Sequence, residues 1–128
     1  MKKLTHFKPS WITKEFFPEY KDVSVINEGE CFIWAYLAHL MFKDVEIWDV
    51  NCHAFVKYRG RFYDSEVLKG SPDWQDLPAT EDAEAPPRKH SVTSFKKSWH
   101  QNPKWFDTSW GEIESRARRV LRRAQASI

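Results

Sequence analysis

The stretch Gly29–Phe42, GECFIWAYLAHLMF, constrains this chain more than any other part of it. After Gly29 it holds no Gly or Pro, and its apolar residues are not confined to one stripe. A helix resting on a protein surface shows a polar face, whereas one that is apolar nearly all round must be covered on most sides. The run is interrupted by His39 and is too short to span a bilayer. It therefore predicts a helix buried within a globular domain. Asn27 stands where an N-cap is expected, with Glu30 three positions later as in a capping box.

What must cover such a helix follows it in sequence. Residues 45–50 (VEIWDV) alternate as a strand does, and 52–59 (CHAFVKYR) and 61–67 (RFYDSEV) flank Gly60 as the arms of a hairpin. Residues 91–99 (SVTSFKKSW) also read as a strand. Residues 69–91 are rich in Pro, Asp, Glu and Ser and read as a long acidic loop. Residues 1–26 read as an irregular arm with one short helix. Ser109–Gln125 reads as a second helix, with Ser109 and Glu112 as a capping box. Its Ile113, Ala117, Val120, Leu121 and Ala124 fall on one arc and its arginines on the opposite one. The whole predicts one α+β domain over 1–128, in which a buried helix packs on a small antiparallel sheet and an amphipathic helix closes the chain. At 128 residues no disulfide or metal is needed to stabilise it.

Charge and cysteine usage narrow the function classes. A net charge of +2 is too small to argue for nucleic acid by itself. The charges are segregated, however: 71–87 holds Asp73, Asp76, Glu81, Asp82 and Glu84 with no base, whereas Arg116, Arg118, Arg119, Arg122 and Arg123 gather near the C-terminus. The arginines read first as a solvated helix face, with Glu112–Arg116 and Glu114–Arg118 as i,i+4 pairs. An acidic partner, the chain's own acidic loop, or nucleic acid are the other readings of that face. The basic start, MKK, is not followed by an apolar run of signal-peptide length, so a cytoplasmic protein with reduced thiols and no membrane association is expected.

The chemistry-bearing residues lie in the helix and the hairpin. Cys31 falls in the first turn of the buried helix, where the helix dipole and unpaired N–H groups favour a thiolate and can hold an oxyanion. Asn27, just upstream, is the expected additional oxyanion donor. His53 lies on the following strand as the candidate base. A two- or four-residue turn around Gly60 places Asp64 on the same face as His53. With two residues, Asp64 opposes Phe55 and lies diagonal to His53, about 7–8 Å away between backbones, within side-chain reach. Glu66 would then oppose His53 directly and is the rival orienting group. An odd-length turn would put Ser65 there instead. Cys52, on the other face of its strand, reads as a packing residue, and His39 as a satisfied core histidine. The spacing of Cys31, Cys52 and His53 supports no metal site, and no cofactor is expected.

A Cys at a helix start, then a His on a strand, then an Asp on the next strand is the order of the papain-like superfamily in its compact forms. GECFIWAYLAHL resembles the nucleophile helix, and HAFVKYRGRFYDSE resembles the His-to-Asp hairpin of transglutaminase-like proteins. The chain is also similar to NlpC/P60-type and related small bacterial and phage cysteine hydrolases. The resemblance covers residues 27–68. It implies a papain-like core and a Cys31–His53–Asp64 triad with Phe32 and Trp34 as aromatics beside the nucleophile. The activity it implies is a cysteine peptidase, amidase or deamidase acting on an amide or isopeptide bond of a protein or peptide. A non-catalytic module that keeps this fold to bind and inhibit a host protein is the alternative from another class.

Overall fold

The computed structural model describes residues 2–28, 30–100 and 110–126. Four strands form one antiparallel sheet: β1 (Glu46–Val50), β2 (His53–Tyr58), β3 (Arg61–Tyr63) and β4 (Arg88–His90), in the spatial order β3-β2-β1-β4. The described helices are α1 (Pro9–Phe16), α2 (Cys31–Met41), α3 (Val92–His100) and α4 (Trp110–Ala126). A 3-10 turn, Val23–Glu28, leads into α2. The α+β architecture expected from the sequence is present.

Two tight turns set the register of the central meander. Val50 pairs with His53 across Asn51 and Cys52, whose φ values are 50° and 64°. Tyr58 pairs with Arg61 across Arg59 and Gly60, with φ of 49° and 78°. Two consecutive residues at positive φ are what a two-residue hairpin turn matched to strand twist demands, and Gly60 meets it without a Cβ penalty. The even-length turn anticipated at Gly60 is therefore the one formed.

Helix α2 occupies the centre of the molecule. Phe32, Trp34, Leu37 and Met41 are buried, each stabilising the fold by about 1.5–3 kcal/mol. The helix contacts β2, α4 and α1. From the sheet, Ile47, Ala54 and Val56 join its core; from α4, Ile113, Ala117 and Val120; from α1, Ile12 and Phe16. Two large side chains with polar ends are satisfied there. Trp34 Nε1 donates to Thr13 Oγ1 at 3.1 Å, and the Tyr36 hydroxyl donates to Glu114, which also takes Lys96 Nζ at 2.5 Å. The N-terminal arm is stitched to this body by a parallel bridge between Leu4 and Phe42.

The opposite sheet face carries a smaller core. Val50 and Phe55 pack there with Leu77, flanked by Trp48, Phe62, Val67 and Trp74. The acidic segment is thus a folded cover and not the loose loop expected. Ser71 forms an antiparallel bridge with Phe62, two 3-10 turns follow at 74–76 and 78–80, and Leu77 between them is 1% exposed. The acids of the segment stay exposed around this one buried leucine.

Other expectations need correction. Residues 92–100 form α3 and not a strand: Val92, Phe95 and Trp99 have helical spacing, and the Ser91 hydroxyl caps the start by accepting the Ser94 N–H at 3.1 Å. Strand β3 ends at Tyr63, well short of residue 67. Glu30, not Asn27, is the N-cap of α2, and it makes no side-chain cap bond. The expected capping box at Ser109 lies outside the described residues. On α4, Ile113, Ala117, Val120 and Leu121 are buried as expected, and Ala124 is half-buried.

Candidate active site

The meander brings His53 and Asp64 to one end of the sheet, where the start of α2 places Cys31 against the β1–β2 turn. Cys31 is the first residue of α2, His53 the first of β2, and Asp64 follows the last residue of β3. By register, His53 shares a strand face with Phe55, and their rings stack at 6.0 Å. Nε2 of His53 lies 3.0 Å from Oδ2 of Asp64. Both side chains are buried, so solvent screens this pair little.

Asp64 is locked in place by its own loop. Its Oδ1 accepts the backbone N–H groups of Glu66 and Val67, each at 2.9 Å. That turn ends β3 and carries Glu66 away from the position opposite His53. The structure accordingly pairs His53 with Asp64, and the rival Glu66 instead accepts from Asn27 Nδ2 at 3.0 Å.

Asn27 does not fit the oxyanion role expected of it. Its amide donates to Glu66 Oε1 and, at 3.5 Å, to Asp64 Oδ2, while its Oδ1 accepts the Ser65 hydroxyl at 3.0 Å. Both N–H bonds are spent on the acidic turn, so Asn27 is a positioning residue for Asp64. Ser65, expected near His53 only with an odd-length turn, is part of this clasp. Asn27 lies outside any regular helix start, so the local sequence pointed to a cap and not to a clasp across the fold.

The donors that remain for an oxyanion are those of the α2 first turn. Trp34 N–H is turned back to Glu30 O at 3.1 Å and Glu30 N–H to Ile26 O at 2.8 Å, whereas the N–H groups of Cys31 and Ile33 fall in the turn that a helix cannot satisfy internally. Phe32 and Trp34 do not border an open site. Each is 1% exposed, Phe32 lying edge-on to Trp110 at 6.0 Å, so their place is in the core.

Electrostatics favour the charged form of His53. Burial pulls its ring toward neutrality, but the hydrogen bond to Asp64, the interaction with Cys31 and the charges of both outweigh burial and push it up to about 9. Its Nδ1 is buried without a well-formed hydrogen bond among the described residues. The Cys31 thiol points at the Cys52 carbonyl oxygen, 3.9 Å away. Cys31 and His53 are 3% and 4% exposed, whereas Cys52 is exposed in its turn and not packed as expected. The exposed Asn51–Cys52 turn thus lies against the buried sulfur. Both thiols are free.

Other titratable residues lie apart. His39 Nδ1 meets Val45 O at 2.7 Å, and burial holds its ring below the ordinary histidine value, as suits a satisfied core residue. A second His–Asp pair, which the sequence did not single out, links His90 Nε2 to buried Asp49 at 3.0 Å and ties β4 to β1. Among the described residues no cluster of three or more His, Cys, Asp or Glu could hold a metal ion, and no helix is long and apolar enough to cross a membrane.

No family model, curated protein or solved structure matches this chain.

Proposed function

We propose that this protein is a thiol-dependent hydrolase or acyl transferase acting on an amide or isopeptide bond, built on a papain-like or transglutaminase-like core. The observation that carries this reading is the buried His53–Asp64 hydrogen bond of 3.0 Å beside a cysteine at a helix N-terminus. Cys31 Sγ attacks the carbonyl carbon, its proton having passed to His53. The first-turn N–H groups of α2 receive the oxyanion, and Asp64 holds the imidazolium in orientation. Collapse of the tetrahedral species breaks the C–N bond as His53 protonates the leaving amine. Water, or a second amine, then releases the acyl group and restores the thiol.

Alkylation tests the reading. Cys31 is expected to react with iodoacetamide at pH 6 far faster than a free thiol, and His53→Ala should abolish that advantage. Equally slow reaction of Cys31 and an unhindered thiol standard would sink it.

The second reading, a non-catalytic module that binds and inhibits a host protein, is favoured by one observation. Cys31 and His53 are almost fully covered, as core residues would be. Alkylation separates the two, because a merely buried thiol is slow at every pH.

A further inference from the structure

We propose that the end of α4 and the N-terminal arm form a binding face for single-stranded nucleic acid. Five arginines line the exposed side of α4, but they are not equivalent. Arg118 lies 3.7 Å from Glu114, and Arg116 donates to the Glu15 carbonyl at 3.3 Å while covering the Phe16 ring. Arg119, Arg122 and Arg123 are exposed and form no ion pair among the described residues. Together they line an open concavity of 490 Å³.

No Asp or Glu lies between Arg116 and Gln125 to relieve the repulsion of guanidinium groups at i, i+3 and i+4. A face shaped only by solubility would interleave acids there. Arg119 also borders a cavity lined in part by Glu19, Glu30 and Glu112, so the counter-charge is missing chiefly at Arg122 and Arg123. A polyanion supplies it, and the planar guanidinium fork suits phosphate oxygens.

A second groove, 380 Å³ in volume, abuts the same end of the helix. Its lining includes His6, Lys8, Trp11, Phe42 and Ala124, again with no acid. The Gln125 side chain donates to the Lys2 carbonyl, fastening the arm beside the helix. Trp11 is half-buried, with its ring edge-on to Phe42, and Lys8 and His6 are exposed next to it. A cationic track beside an aromatic groove is the pairing used to hold an unpaired strand, phosphates on the first and a base on the second. An acidic peptide would satisfy the arginines but brings a planar ring to the groove only where it carries an aromatic residue, whereas every nucleotide carries one. A duplex keeps its bases stacked and out of reach, so the strand must be single.

The test is fluorescence anisotropy of the full chain with a labelled oligothymidylate of about 20 nucleotides, from about 50 to about 200 mM salt. Affinity is expected to fall linearly on logarithmic axes. Replacing Arg119, Arg122 and Arg123 together by Gln should weaken binding at least about tenfold and flatten the salt slope by about 2, roughly 0.7 for each phosphate no longer neutralised. Trp11→Leu should weaken binding while leaving that slope unchanged. Alkylation of Cys31 should be untouched in the arginine variant, which keeps this proposal separate from the enzymatic one. No binding at about 50 mM salt, or equal binding by the arginine variant, would overturn it. So would competition by polyglutamate as strong as by oligonucleotide, or equal binding of a duplex.

Discussion

His53 Nε2 and Asp64 Oδ2 lie 3.0 Å apart at the end of the β2–β3 hairpin, both side chains below the surface. Removing one partner strands the other in a poorly solvated place. Asp64→Ala is expected to cost about 3–5 kcal/mol in urea unfolding. On the proposed reading, Asp64→Asn should slow alkylation of Cys31 at pH 6 at least about tenfold, because His53 loses the charge that supports its protonated form. Wild-type reactivity in a folded Asn variant would remove Asp64 from the site.

The same pair makes stability depend on pH in a stated direction. His53 is raised from 6.5 to about 9 in the folded chain. A raised histidine contributes its stability in full below its unfolded value and loses it as pH climbs through the folded one. The melting temperature should therefore fall between pH 7 and pH 10 by more in the wild type than in His53→Gln. Parallel pH profiles for the two proteins would show that His53 titrates alike in both states.

Asn27 sits where Asp64, Ser65 and Glu66 converge. Asn27→Ala leaves these polar groups without their shared partner and should cost about 1–3 kcal/mol. Asn27→Asp should cost more, since it sets a third carboxylate between two others. Alkylation rates should drop in both variants in parallel with their loss of stability, as befits a residue acting through Asp64. An Asn27→Ala protein as stable as the wild type would contradict the clasp.

Leu77 anchors the acidic cover against Val50 and Phe55. Leu77→Ala is expected to cost about 2–5 kcal/mol. Amide exchange should rise throughout 71–87 and at Phe55, and hardly at Ala117 on the far side of α2. Uniform acceleration across the chain would mean that the cover is not a separate unit.

Much of this arrangement is written in local pattern. The all-round apolarity of α2, the turn signal at Gly60 and the arc of Ile113, Ala117 and Val120 each report a neighbour-independent rule of periodicity or turn chemistry. The Asp64 assignment followed from an even-length turn, which Arg59 and Gly60 provide. What escaped depends on distant partners. Leu77 is a lone apolar residue among acids until Phe55 is placed beneath it. Asn27 has the chemistry of a cap and spends it across 37 residues on Asp64. For α3, the signals are present in the sequence: Ser91 can cap, and Val92, Phe95 and Trp99 are spaced three and four apart as on a helix face.

The two-residue turns that join β1, β2 and β3 also bear on the order of assembly. Such hairpins close the shortest loops a sheet allows, at little entropic cost. Strand β4, whose Arg88 pairs with Asp49, must wait for the whole interval between them to be organised. The meander with its His53–Asp64 pair is expected to form in the folding transition state, and β4 with α3 to dock afterwards. Val56→Ala should then slow refolding, whereas Phe95→Ala should chiefly speed unfolding. A chain emerging during synthesis would acquire its imidazole–carboxylate pair before its last strand has paired.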